Sequence, residues 1–102
     1  MFLVNIIDGF KVWGCDVYQS ETASTIIIFF GQIGKPMQSL RKQTITFDDN
    51  YSATSLAWDK FEEKRGYYIP MERSDYFSFI DASDRLGLMR FILSEYERHG
   101  FG

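Results

Sequence analysis

Three cations stand close together in this chain with no acid among them: Lys35, Arg41 and Lys42 fall in a segment, residues 32–47, that holds no Asp or Glu. Just ahead of them come Phe30, Gly31, Gln32 and Gly34, and further on Lys60 and Lys64 lie one helical turn apart. Ammonium and guanidinium groups hold phosphate oxygens through charge-assisted hydrogen bonds. An aromatic ring stacks on an exposed base, and a glutamine amide can meet a base edge or a partner's backbone. Glycine, lacking a Cβ, lets backbone and ligand approach closely. These nine residues form the candidate nucleic-acid-binding set. Each also has an ordinary structural role to fill: Phe30 as the last core residue of a strand, Lys60 and Lys64 as the wet face of a helix.

Other chemistries lack their parts. Gly31-Gln32-Ile33-Gly34-Lys35-Pro36 brushes against a phosphate-binding loop, but Phe29 stands where that loop needs its first glycine and Pro36 where it needs a hydroxyl. His99 is the single histidine, and at a helix end beside Gly100 it can stabilise the helix dipole when protonated. A Cys15–His99 pair would need the two chain ends to meet around a third, orienting group. Asp48-Asp49, just before a helix, reads as cap chemistry. Thiolates and imidazoles are too few for a zinc-type metal site. The expectation is a non-enzymatic binding module with no cofactor and no metal.

At 102 residues the chain has room for one domain and one core, and an aromatic share of 18% gives that core large side chains to bury. The net charge of −3 argues against a general nucleic-acid coat protein. Charge is uneven, however: residues 1–30 hold one base and three acids, 31–65 six bases and five acids, and 66–102 four bases and six acids. A lone cysteine suits a reducing cytosol. Asp8 interrupts the apolar start and no basic region follows Met1, so no signal peptide is expected. The longest apolar run, Ile26 to Phe30, falls far short of the roughly 20 residues that span a membrane. A soluble, cytoplasmic protein without a membrane partner is expected.

The elements that must position these residues are legible in outline. Phe2–Ile7 and Phe10–Tyr18 read as strands joined at Asp8-Gly9 by a two-residue type I′ hairpin turn. Thr25–Phe30 is a strand covered on both faces or facing a partner. Gly31 and Gly34 mark a turn or bulge, and a fourth strand is expected over about 38–47. Asn50 or Ser52 can cap a helix to about Arg65 that buries Ala53, Leu56, Ala57 and Phe61, with Gly66 as its left-handed stop. Tyr67-Tyr68-Ile69 reads as a short strand, and Tyr76–Ile80 as strand or helical turn. Ser83 or Asp84 then caps a helix to about His99, with Leu86, Met89, Ile92, Leu93 and Tyr96 on one face, Gly87 weakening it locally and Gly100 ending it. The fold class is α+β: an antiparallel sheet, one packed helix and a C-terminal helix.

The order Phe10-Lys11-x-Trp13, apolar strand, Phe30-Gly31-Gln32-Ile33-Gly34, Phe47, Ala53, Phe61, Lys64 and Gly66-Tyr67 resembles the WGR domain. That module occurs in poly(ADP-ribose) polymerases and in bacterial proteins. The resemblance covers residues 9–68 as a core and leaves 69–102 as a C-terminal helical extension of the single domain 1–102. It implies an antiparallel sheet with one helix packed on it, and contact with DNA. The signature triplet lands on Phe30, Gly31 and Gln32, where Phe replaces Trp and keeps a ring, and Gln replaces Arg and loses the charge. DNA or another nucleic acid docked on the strand–turn–strand 30–42 is the first expectation. The alternative is a protein partner or homodimer, met through the same sheet end and the C-terminal helix residues Leu86, Met89, Leu93 and Tyr96.

Overall fold

The computed structural model describes residues 2–64 and 66–100. Five strands and three helices follow in the order β1 (Phe2–Asn5), β2 (Lys11–Gln19), β3 (Ser24–Gln32), β4 (Arg41–Phe47), α1 (Asn50–Lys64), β5 (Ile69–Pro70), α2 (Arg73–Asp81) and α3 (Arg85–Arg98). The strands make one antiparallel sheet in the order β4-β3-β2-β1-β5, an α+β arrangement.

Sheet faces follow from the period of two along each strand. In β3, Ile26 and Ile28 point to one face and Phe29 to the other, and all three are buried, as a doubly covered strand requires. On the first face, Leu3, Trp13, Cys15, Ile26 and Ile28 meet Ala53 and Ala57 of α1, with Leu56 and Phe61 partly buried beside them. Alanine at the contact positions lets the helix lie close to the bulky strand residues. On the second face, Phe2, Val4, Val12 and Phe29 meet Tyr76 of α2 and Leu88, Ile92 and Tyr96 of α3. Residues 69–98 therefore supply an edge strand and most of the second covering layer, which Leu40 completes beside Gly31. Arg73 fastens that layer: its guanidinium bonds both carboxylate oxygens of Asp16 on β2, at 2.6 and 3.2 Å, and lies 4.9 Å over the Phe29 ring.

Local chemistry shifts several expected boundaries. The first hairpin has no two-residue turn. The side chain of Asn5 accepts from the backbone N–H of Ile7 and of Asp8, holding a five-residue loop in which Gly9 alone takes a positive φ, +112°. Gly31 stays in β3, paired with Val12, and the left-handed turn falls at Gly34 (φ +99°). A single 3₁₀ turn at Met37–Ser39 precedes β4. Of the Asp48-Asp49 pair read as cap chemistry, Asp49 caps α1 in place of Asn50 or Ser52: its carboxylate accepts from the Ser52 N–H at 2.6 Å and from the Ser52 hydroxyl at 3.0 Å, which holds the Asp49 pKa below its usual value. Asn50 turns away to accept from the Ser24 hydroxyl.

At the far end of α1 the chain closes through Tyr68 N–H to the Lys64 carbonyl. The undecided Tyr76–Ile80 segment is helical. The expected end of α1 at Arg65 lies outside the described residues. In α3 the buried stripe is Leu88, Ile92 and Tyr96, spaced four apart, whereas Leu86 and Leu93 are exposed. Asp84 caps this helix through Gly87 N–H, and a Cβ on Gly87 would sit 2.2 Å from the Asp84 carboxylate. That glycine belongs to the cap and is no weak point inside the helix. Gly100 (φ +90°) follows the helix end as expected. No helix among the described residues is long and apolar enough to cross a membrane.

Candidate nucleic-acid interface

The α1 face of the sheet is fully covered in its middle and open at one end. There the ends of β2, β3 and β4 run on past the contact with Ala53 and Ala57, and the last turns of α1 stand beside them, leaving a groove of about 690 Å³. Register builds its floor. Trp13 pairs with Phe30, and Phe30 with Arg41, so the three side chains lie in a row across the sheet; Lys11 pairs with Gln32 one step further out. Trp13 is packed under α1, but Phe30 is 38% exposed and presents its ring to the groove. Lys60 and Lys64 form the helical wall, and Lys35 and Ser39 close the side opposite.

The groove concentrates positive charge. Among the described residues five cations line it (Lys11, Lys35, Arg41, Lys60 and Lys64), against one acid, Glu63. That carboxylate lies 3.8 Å from the Lys60 ammonium, with both side chains well exposed, so water weakens its hold on the charge. Lys64 lies 5.5 Å over the ring of Tyr68, an aromatic at the inner end of the groove. Burial pushes the Tyr68 phenol above its ordinary pKa, opposed by a hydrogen bond with Asn5, so it stays neutral and polar in the physiological range. Like charges gathered this way repel one another, and an anion between them relieves that repulsion.

Seven of the nine expected residues come together here: Phe30, Gly31, Gln32, Lys35, Arg41, Lys60 and Lys64. Two do not. Lys42 pairs with Phe29, which puts its side chain on the opposite face of β4. Gly34 belongs to the second layer, where its N–H donates to the Tyr76 hydroxyl at 3.0 Å and a Cβ would lie 3.1 Å from the Arg85 guanidinium. Gly31 contributes backbone to the groove, but its missing side chain serves packing: a Cβ there would sit 2.7 Å from Leu40. The glycines thus make room for the protein's own side chains and leave no gap for a guest.

Sequence reasoning missed Lys11, Trp13, Gln43 and Tyr68. Gln43 was within reach, since it stands two residues from Arg41 on the same strand face. Lys11 and Trp13 join only through the β2–β3 register, and Tyr68 only through the return of the chain into β5, neither of which a local pattern reveals.

Two tyrosines of the second layer hold the rim from beneath. Tyr76, fully buried, accepts from Gly34 N–H and donates to the Lys35 carbonyl at 3.1 Å, fixing the turn that carries the Lys35 ammonium. Tyr96 accepts from Ile6 N–H at 3.0 Å and donates to the Tyr67 carbonyl at 2.6 Å, joining the β1–β2 loop to the segment that places Tyr68. Burial raises both phenols' pKa values and keeps them protonated as donors.

Elsewhere, Cys15 is buried and desolvation raises its thiol pKa, which makes it a poor nucleophile. Among the described residues no three His, Cys, Asp or Glu side chains gather to hold a metal ion. No family model matches the chain, and neither does any curated protein or solved structure.

Proposed function

We propose that this protein is a non-enzymatic binding module that docks nucleic acid in the groove between the end of its sheet and the last turns of α1. The observation that carries the reading is the gathering of five cations and one carboxylate around a half-exposed aromatic ring, in a chain whose net charge is −3. A generally sticky basic protein would spread its cations, and an acidic one has no structural need to crowd them. Lys11, Lys35, Arg41, Lys60 and Lys64 hold phosphates, Phe30 stacks, and Gln32 and Gln43 offer amides to base edges. The WGR resemblance points the same way and stands on its own motif residues.

The test is a fluorescence anisotropy titration with labelled oligonucleotides at low and rising salt. Binding weakens with salt in proportion to the phosphates engaged, and Lys35→Ala with Arg41→Ala flattens that dependence. Absence of binding to either single- or double-stranded DNA at low salt overturns the proposal.

A second reading rests on a different surface. Leu86 and Leu93, seven residues apart on α3, are 63% and 51% exposed, with Met89 half-buried between them. Such a stripe suits self-association of a protein-interaction module. Tyr96 is not part of it, being buried against the sheet. Leu93→Glu examined by light scattering decides this: a monomer in both wild type and variant removes the reading.

A further inference from the structure

The groove's shape and surroundings say which form of nucleic acid it takes. We infer that its ligand is an unpaired single strand and not a duplex; the inference rests on the function proposed above and narrows it. In a duplex the bases are stacked on one another and their faces are closed, so a ring at the floor of a recess has nothing to stack on. Phe30 offers its ring inside a recess walled by a helix, where only a splayed-out base can reach it.

Duplex readers, by contrast, present a helix or ribbon that enters a groove about 12 Å wide, with cations flanking it to meet the phosphates on either side. None of the three helices is suited to that. The α1 helix turns Lys60, Lys64 and Glu63 toward the groove and carries the exposed Asp59 and Glu62 elsewhere, while α2 and α3 lie on the other face of the sheet. A single strand needs only the track lined by Lys60, Lys64, Lys35 and Arg41. The polar side chains on that track, Gln32 and Gln43, sit beside Phe30 and can bond the edge of a base whose face the ring holds.

The experiment compares affinities at one salt concentration for fluorescein-labelled oligothymidine and oligouridine of about twelve nucleotides, within the span a small domain covers. A duplex of equal length and polyglutamate serve as competitors. A single strand binds at least about ten-fold tighter than the duplex. Phe30→Ala lowers single-strand affinity roughly ten-fold, the share of one stacked base, and leaves the salt slope unchanged. Phe30→Tyr, which keeps the ring, stays near wild type and shows that the loss is not one of folding. A duplex that binds as tightly as the strand overturns this inference and leaves nucleic-acid binding standing. Polyglutamate that competes as well as the strand, with Phe30→Ala silent, overturns it in favour of an acidic protein partner. No binding by any of the oligonucleotides overturns both proposals. A preference for one of the two strands over the other upholds the inference either way.

Discussion

Phe29 and Phe30 are adjacent on one strand and live in different environments. Phe29 is 1% exposed, with the Arg73 guanidinium over its ring and the bare Cα of Gly14 beside it; Phe30 is 38% exposed in an open basic groove. The strand treats them alike, since alternation merely sends one to each face. What separates them is the covering layer. On the second face two helices reach the end of the sheet and seal it. On the first a single helix, seated by Ala53 and Ala57, leaves the end of the sheet uncovered. A site here is the portion of a hydrophobic sheet face that its helix does not cover, furnished with cations from strands and helix alike.

The largest effect should come from exchanging the two phenylalanines for alanine. Phe29→Ala removes a fully packed ring from the second layer and should cost about 3–5 kcal/mol in urea denaturation. Phe30→Ala should cost about 1 kcal/mol or less and act on binding instead. Equal destabilisation by the two would mean that the first face is closed at this end after all. Gly14→Ala sharpens the point. Its new Cβ would fall 2.1 Å from the Phe29 ring, and with the sheet on one side and Arg73 on the other the ring has little room to move. A loss of about 3 kcal/mol is expected, measured the same way.

The two faces also differ in how far the sequence discloses them. The α1 face was legible: Ala53, Leu56, Ala57 and Phe61 fall at helical spacing, and the apolar run of β3 asks for cover on both sides. The second face was legible only in part. On α3, Leu86 and Leu93 fit an amphipathic stripe as well as Leu88 and Ile92 do, and the choice between them is made by the sheet. Cations followed the same rule. Those near Phe30 in sequence could be grouped by proximity, but which of them share a face depends on β3–β4 pairing, and Lys11 enters only through β2. Alternation assigns residues to two faces; it takes the tertiary fold to say which face stays open.

Tyr76→Phe tests whether the closed face organises the open one. The ring stays in its core, but Gly34 N–H and the Lys35 carbonyl lose their shared partner. Stability should fall by about 1 kcal/mol. Oligonucleotide affinity should fall with it, and Lys35→Ala should then do less harm in the variant than in the wild type. Independent, additive losses would mean that the turn holds Lys35 without help. The raised phenol pKa gives a second handle. Folded Tyr76 holds its proton more tightly than the unfolded chain, whose value is near 10.0, so its contribution is complete below that pH and is lost as pH rises through the folded value. Denaturation midpoints should therefore decline from about pH 10 upward in the wild type, and less steeply in Tyr76→Phe.

The smallest effect provides the sharpest discrimination. Arg41 and Lys42 are neighbours in a segment that, read as sequence, presents both to the same ligand. Pairing separates them as it does the phenylalanines: Arg41 lies across from Phe30 and lines the groove, while Lys42 lies across from Phe29 on the other face. Either substitution by alanine removes one positive charge from the same exposed edge strand, so net charge, folding and long-range attraction change almost equally. Arg41→Ala should flatten the single-strand salt dependence by about 0.7, the share of one phosphate, and Lys42→Ala should leave it where it was. If both flatten it alike, the ligand wraps around the edge of the sheet and the groove is only part of its path. If neither does, phosphates do not pass the Phe30–Arg41 pair, and the cations of the groove meet some other anion.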